Sequence, residues 1–243
     1  MKICVDPGHG GYDPGAVGPS GLKEKDITLA VSFLVAEKLK AAGQNVVLTR
    51  IGDIVTWTPD GDLSKRCQVA NNFNADVFVS IHCNSATNPA ATGTETYHHA
   101  ASTNGKRLAG AVQGELVAAL GLPDRGVKTA NFYVLAHTNM PAVLVELAFI
   151  CNPKEEALLA TPSIQEKMAQ AIVRGIGMAY GFAVAPAKQA PPADPNKVTI
   201  KADGKTFAGV LIGDVTYAPV RSVAEALGRQ VGWDEKTRTV VVK

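Results

Sequence analysis

Short, almost wholly apolar runs separated by stretches of helical periodicity constrain this chain more than any other feature. KICVD opens the sequence, NVVL follows, DVFVSI leads into His82, and AVLVELAFI carries Glu146. Each has strand length, is rich in β-branched residues and lacks the alternation of a half-exposed strand, so each reads as a strand covered on both faces. Between the first two, Ile27, Ala30, Val31, Leu34, Val35, Leu39 and Ala42 recur at helical spacing from Glu24, and Gly43 supplies the stop. Leu63 to Phe73 reads as a second helix, GTETYHH as a further strand, and Asn104 to Leu120 as an amphipathic helix ended by Gly121. Ser163 with Glu166 is a capping-box pattern that places a closing helix over 164–180. A strand, helix, strand order at these lengths requires helical crossovers between parallel strands. The expected fold is α/β, a mostly parallel twisted sheet flanked by helices.

Residues 184–196, VAPAKQAPPADPN, hold four prolines in thirteen residues and almost nothing to bury, the composition of a stiff linker. Beyond it, 197–243 alternates short strands with the turn dipeptides Asp203-Gly204 and Gly213-Asp214 around one helix near 221–227, a small α+β domain. The expected division is therefore a 1–183 domain, a 184–196 linker and a 197–243 domain. The net charge is +2, and after Val184 nine Lys and Arg stand against six Asp and Glu. That excess is too weak to argue for nucleic-acid binding, although it would not repel an anionic cell wall. Cys4, Cys67, Cys83 and Cys151 form no C-x-x-C pair and read as mostly buried thiols. No apolar run is long enough to span a membrane, and the N-terminus lacks a signal-peptide pattern.

In an open α/β sheet, ligands collect at the carboxyl ends of the parallel strands. His9 follows the first strand, His82 ends a later one, Glu146 lies in the last, and Glu24 at the start of the first helix can reach the same rim. Two imidazoles and one carboxylate are the donor set of a catalytic zinc, with a fourth position left for water. Such an ion polarises a carbonyl and acidifies water, while a second carboxylate, here Glu146, carries the proton to the leaving group. Each residue also has another role open to it: His9 as a turn residue, Glu24 as a first-turn carboxylate complementing the helix dipole, and His82 as a hydrogen-bonded core imidazole. Glu146 is harder to place that way, because a buried carboxylate is costly unless it is paired or functional. The GHGG loop between strand and helix admits phosphate binding, but Asp13 stands where the G-x-G-x-x-G template needs glycine and no Gly-Lys-Ser/Thr is present.

Five segments in order, VDPGHGGYDPGAVG, GLKEKDITLA, LSKRCQVANNFNADVFVSIHCN, GTETY and VLAHTNMPAVLVELAFICNPKEE, resemble the zinc-dependent N-acetylmuramoyl-L-alanine amidases known as amidase type 3. The resemblance covers residues 1 to about 182. It implies one zinc ion on His9, Glu24 and His82, Glu146 as the catalytic carboxylate, and hydrolysis of the amide joining N-acetylmuramic acid to the first L-alanine of the peptidoglycan stem peptide. Two departures stand out: Ala148, where the family commonly has Gly, and His137, where it commonly has Arg. Asn84 and His137 are candidate substrate contacts, and His98 and His99 read as solvated residues at a strand end. The tail is similar to the small domain named for the N-terminal region of copper amine oxidases. It contains no His, Cys or Met, so the name carries no expectation of copper, and a wall-targeting role is expected instead.

The implied partner is bacterial peptidoglycan, with no nucleic acid, no membrane span and a monomeric enzyme. The expected place of action is the cell wall, reached either as a phage or prophage endolysin that is cytoplasmic until holin-type release, or as a host autolysin secreted with its leader removed. A zinc peptidase cutting within the stem peptide and a non-catalytic wall-binding protein are the competing readings.

Overall fold

The computed structural model describes residues 1–55 and 57–184, together with 197–202, 205–212, 215–217, 223–225, 227–234 and 239–242. The chain divides into two compact units, Met1–Ala187 and Lys188–Lys243. The expected linker falls, apart from Val184, outside the described residues.

The first unit is built on β1 (Lys2–Pro7), β2 (Asn45–Leu48), β3 (Val77–Asn84), β4 (Thr94–His98), β5 (Asp124–Thr129) and β6 (Ala142–Phe149), in the order β2-β1-β3-β6-β4-β5. β1 pairs parallel with β2 and β3, β3 with β6, and β4 with β5, while β4 runs antiparallel to β6. The helices are α1 (Glu24–Ala41), α2 (Asp62–Phe73), α3 (Thr103–Leu120), α4 (Tyr133–Ala136), α5 (Pro153–Leu159) and α6 (Pro162–Tyr180), with a 3-10 turn at Pro59–Gly61 before α2. The odd-numbered side chains of β1, β3 and β6, among them Ile3, Val79 and Val145, join α1, α3 and α6 in the larger core. The even-numbered ones, Cys4, Phe78 and Leu144, pack against α2 and α4. Both faces are covered, as the unbroken apolar runs require.

α1 buries Ile27, Val31, Val35 and Leu39 on one stripe. It closes with Gly43 at φ +77°, whose N–H donates to Lys40 O while Gln44 N–H donates to Leu39 O, both at 2.9 Å. α3 starts at Ser102, whose hydroxyl oxygen accepts from Gly105 N–H at 3.0 Å, and ends at Gly121 with φ +63°. The capping box expected at Ser163 does not form. Pro162 takes the first helical position after Thr161, which moves Ser163 into the first turn, and Glu166 pairs with Lys38 of α1. β5 is not marked in the sequence because DRGVKT has no apolar run; an edge strand like β2, it has no buried residue. α5 was also missed, because its inward residues include Glu155 and Glu156 as well as Leu159. His98, expected in solvent, is 3% exposed, with Nδ1 2.9 Å from His99 O; β4 lies between two strands, so its end is covered. Cys4, Cys67 and Cys83 are buried free thiols and Cys151 is half-buried. No helix among the described residues is long and apolar enough to cross a membrane.

In the second unit, β7 (Lys197–Ala202), β8 (Lys205–Ile212) and β9 (Val215–Tyr217) form an antiparallel meander, and β10 (Val231–Asp234) pairs antiparallel with β11 (Thr239–Val242). Residues 223–225 are helical, within the expected 221–227 segment. Both turn dipeptides lie outside the described residues.

α6 packs tightly on α3 at Gly175, where an added Cβ would meet Val112 Cα at 2.5 Å. Backbone cannot yield as a side-chain tip can, so Gly175→Ala is expected to destabilise the first unit by about 1–3 kcal/mol, as overpacking does. A denaturation midpoint matching the parent protein would refute this account of the crossing.

Candidate active site

The loop after β1 carries the first functional side chain in a strained backbone. His9 has φ +61°, between Gly8 and Gly10, and a side chain in the left-handed region costs about 1–2 kcal/mol. Two arginines hold it there. Arg66 donates from Nη1 to Pro7 O (2.6 Å) and from Nη2 to His9 O (2.7 Å), and Arg50 Nη2 donates to Gly8 O (2.9 Å). Arg66 is fixed in turn by Asp6 (Nη1 to Oδ1, 2.8 Å) and Asp62 (Nε to Oδ1, 2.7 Å). Asp6, 1% exposed, also accepts from Thr49 Oγ1 (2.5 Å) and Ser80 Oγ (2.7 Å). Burial alone would raise its pKa; Arg66 and these donors outweigh that and hold the carboxyl below its usual range.

At the rim, His9, Glu24 and His82 bring one donor atom each to within 4.8 Å of one another. Glu24 Oε1 lies 3.1 Å from both His9 Nε2 and His82 Nδ1 and accepts from Cys83 N–H (2.9 Å), while Oε2 accepts from Ala16 N–H (2.9 Å). Burial opposes the charge on Glu24, yet the two imidazoles outweigh it and depress the carboxyl's pKa. His9 Nδ1 sits 2.7 Å from Asp13 Oδ2, so Nδ1–H donates to Asp13 and Nε2 is left to bind. The glycines beside the cluster provide clearance. A Cβ on Gly8 would come within 2.4 Å of the His82 ring, and one on Gly15, at φ +66°, within 2.7 Å of both Glu24 Oε2 and His9.

Glu146 stands opposite His82 in the β3–β6 register and opposite Glu95 in the β6–β4 register. Its Oε2 is buried and has no hydrogen-bond partner among the described residues. Burial, aided by Glu24 and Glu95 and opposed by His82, pushes the carboxyl up to about 7. His9, His82 and Glu146 share a cavity of about 300 Å³ with Leu63, Phe132 and Tyr133. The donor set of the cluster, two imidazoles and an ionised carboxylate, suits a borderline divalent metal ion.

The structure thus gathers His9, Glu24, His82 and Glu146. Asn84 is turned to Glu95, donating from Nδ2 to Oε1 at 2.6 Å. His137 does not itself line the cavity: it caps α4, exposed, its ring stacked on the cavity residue Tyr133 with centroids 3.9 Å apart. Sequence reasoning missed Asp13 and Glu95. Asp13 carries a signal, an acid four residues past a histidine in a glycine loop, and Glu95 is a second carboxylate inside a strand, open to the argument made for Glu146.

An α/β domain with this cluster and an unpartnered carboxylate beside it has the construction of a hydrolase whose site could hold a metal ion. The comparisons narrow the class: the model of the N-acetylmuramoyl-L-alanine amidase family matches residues 3–178, and the chain belongs to that family. The copper amine oxidase N-terminal domain model matches residues 194–243. The chain is 46% identical over 180 residues to an uncharacterized protein, YqiI, of Bacillus subtilis, covering 73% of this chain and 84% of that one. It is 43% identical over 175 residues to the N-acetylmuramoyl-L-alanine amidase LytC of Bacillus subtilis, covering 71% of this chain and 34% of LytC. The catalytic domain of CwlV, an N-acetylmuramoyl-L-alanine amidase from Bacillus (Paenibacillus) polymyxa, superposes with a TM-score of 0.70 at 39% identity, covering 75% of this chain and 99% of that domain.

Asp6→Asn would remove the more deeply buried of Arg66's two carboxylate partners and leave only Asp62, at a cost of about 3 kcal/mol read from denaturant unfolding. The pH dependence has a definite sign. Asp6 titrates below its ordinary 3.8 in the folded state, so its contribution is complete above that value and disappears as pH falls through the folded pKa. The gap between parent and variant should therefore close in acid, and a gap that persists unchanged to about pH 2 would contradict the assignment.

Proposed function

We propose that the chain hydrolyses the amide between the lactyl group of N-acetylmuramic acid and the first L-alanine of the peptidoglycan stem peptide, using one zinc ion held by His9, Glu24 and His82. The observation that carries this reading is the position of Glu146, whose unpartnered buried Oε2 stands on the strand next to His82. A bound zinc supplies Lewis acidity, polarising the scissile carbonyl and making water nucleophilic near neutral pH. Asp13 orients the His9 ring, and the amides of Ala16 and Cys83 fix the Glu24 carboxylate. Glu146 takes the proton from the attacking water at Oε2 and returns it to the departing alanine nitrogen, a role suited to a carboxyl that titrates near neutrality. Leu63, Phe132 and Tyr133 give the cavity apolar walls against the sugar and peptide.

For the rest of the chain we propose 1–183 as the catalytic domain, 184–196 as a tether and 197–243 as a wall-attachment domain. The match of 194–243 to a separate domain model supports the division. Attachment would raise the catalytic domain's effective concentration at the wall, its place of action whether it serves as an endolysin or an autolysin.

Mass spectrometry of digested wall tests the reaction: new L-alanine amino termini on intact stem peptides are expected, and cleavage confined to peptide-peptide bonds would instead indicate a peptidase. Glu146→Gln should keep zinc stoichiometry and wall binding while turnover falls by roughly 10²–10⁴-fold. Near-normal turnover would remove Glu146 from the mechanism. Deleting 197–243 should weaken co-sedimentation with purified wall, and unchanged binding would retire the attachment role.

A further inference from the structure

Beyond Glu146 the rim continues into a second charged cluster. Glu95, 2% exposed, accepts at Oε1 from Tyr97 OH (2.7 Å) and Asn84 Nδ2 (2.6 Å), and at Oε2 from Arg125 Nε (2.7 Å) and from Lys128 Nζ. Within this group one carboxylate faces two cations. Both cationic side chains are 38% exposed, and among the described residues Arg125 Nη2 makes no hydrogen bond. Arg125 is also held by a cation–π contact, its guanidinium carbon 4.7 Å from the centre of the Phe149 ring. A fixed planar donor beside an ammonium is suited to a carboxylate.

The strand order gives this cluster a direction relative to the chemistry. Across the rim stand His9 after β1, His82 on β3, Glu146 on β6, Glu95 on β4, and Arg125 and Lys128 on β5. A scissile carbonyl at the His9, Glu24 and His82 cluster, with its nitrogen protonated by Glu146, sends the leaving peptide onward over β4 toward β5. Two strand spacings separate β6 from β5, about 10 Å, which is roughly three residues of extended chain. An aromatic contact links the two: Phe132 of the catalytic cavity lies 5.2 Å, centre to centre, from Tyr97, whose hydroxyl donates to Glu95.

We infer that Arg125 and Lys128, spaced by Glu95, form a subsite for a free carboxylate on one of the first three residues of the leaving peptide. The inference rests on the proposed amidase reaction and adds a specificity to it: an acidic stem peptide is preferred to one whose carboxylate is amidated. Lys128 meets the carboxylate as a point charge and Arg125 through its outer nitrogen, while Glu95 positions both.

The test uses the full-length zinc-loaded protein and two synthetic muramoyl peptides that differ only in carrying a carboxylate or a primary amide at that position. The acid should be cleaved with kcat/KM about tenfold higher, chiefly through a lower KM, since a hydrogen bond to a charged group is lost in the amide. Arg125→Gln and Lys128→Gln should each raise KM for the acid and move the acid-to-amide ratio toward one. A ratio near one in the unaltered protein would overturn the subsite, a result that does not depend on how well the variants fold. Equal losses on both substrates in the variants would also overturn it, as the mark of a purely structural role. Failure to cut either substrate at the muramoyl-alanine bond would instead defeat the amidase reading, and the subsite with it.

Discussion

The buried pair of Asp6 and Arg66 is the contact on which the site depends. Two charges in a protein interior do not by themselves add stability, because their desolvation offsets their attraction. What this pair adds is geometry. Asp6 is satisfied by Thr49, Ser80 and Arg66, so Arg66 cannot swing away and its remaining donors grip the carbonyls of Pro7 and His9. Those carbonyls belong to the backbone that turns His9 into the left-handed region. An apolar replacement of similar volume could preserve the core, but it would leave these carbonyls without donors and the histidine without its position.

Three carboxylates then stand close together in the same rim and are kept in different protonation states by what surrounds them. Glu24 has two imidazoles and two backbone amides, and Glu95 has two cations, a phenol and an amide; both are held low, Glu95 to about 2. Glu146 lies between them, is given no donor at Oε2 among the described residues, and is pushed up to about 7. Burial raises all three, so the difference lies in the partners supplied. Pairs of acids whose environments drive their pKa values apart are how a single site separates charge holding from proton transfer.

Much of this was legible in the sequence because the sheet does the positioning. Residues at the carboxyl ends of buried parallel strands must share a rim, so His9, His82 and Glu146 could be placed together from the apolar runs alone, and Glu24 from the start of the helix that follows the glycine loop. What the apolar pattern does not encode could not be read. β5 is an edge strand with no buried residue and no apolar run, and Arg125 and Lys128 lie on it. α5 turns Glu155 and Glu156 inward to accept backbone amides at Gly93, Phe149, Ser20 and Leu22, which inverts the pattern that marks a helix. The capping box at Ser163 lost to Pro162, whose fixed φ suits the first helical position. His137 sat in a recognisable segment, but its ring is held by Tyr133 four residues earlier, a local contact that segment spacing does not reveal.

The glycine loop shows how one local pattern acquires its meaning from its hydrogen bonds. A strand, a glycine turn and a helix would suit a phosphate only if the loop amides were free to converge on it. Here Gly8 N–H donates to Ile81 O, Gly10 N–H to Asp13 O, Gly11 N–H to Asp53 and Gly15 N–H to Asp13. Asp13 and Asp53 also bring negative charge to the positions a phosphate would need. The glycines serve clearance instead: Gly8 lets the His82 ring lie against the backbone, and Gly15 lets Glu24 and His9 meet. The same residues that leave no place for an anion make room for three donor atoms at a separation a single cation can bridge.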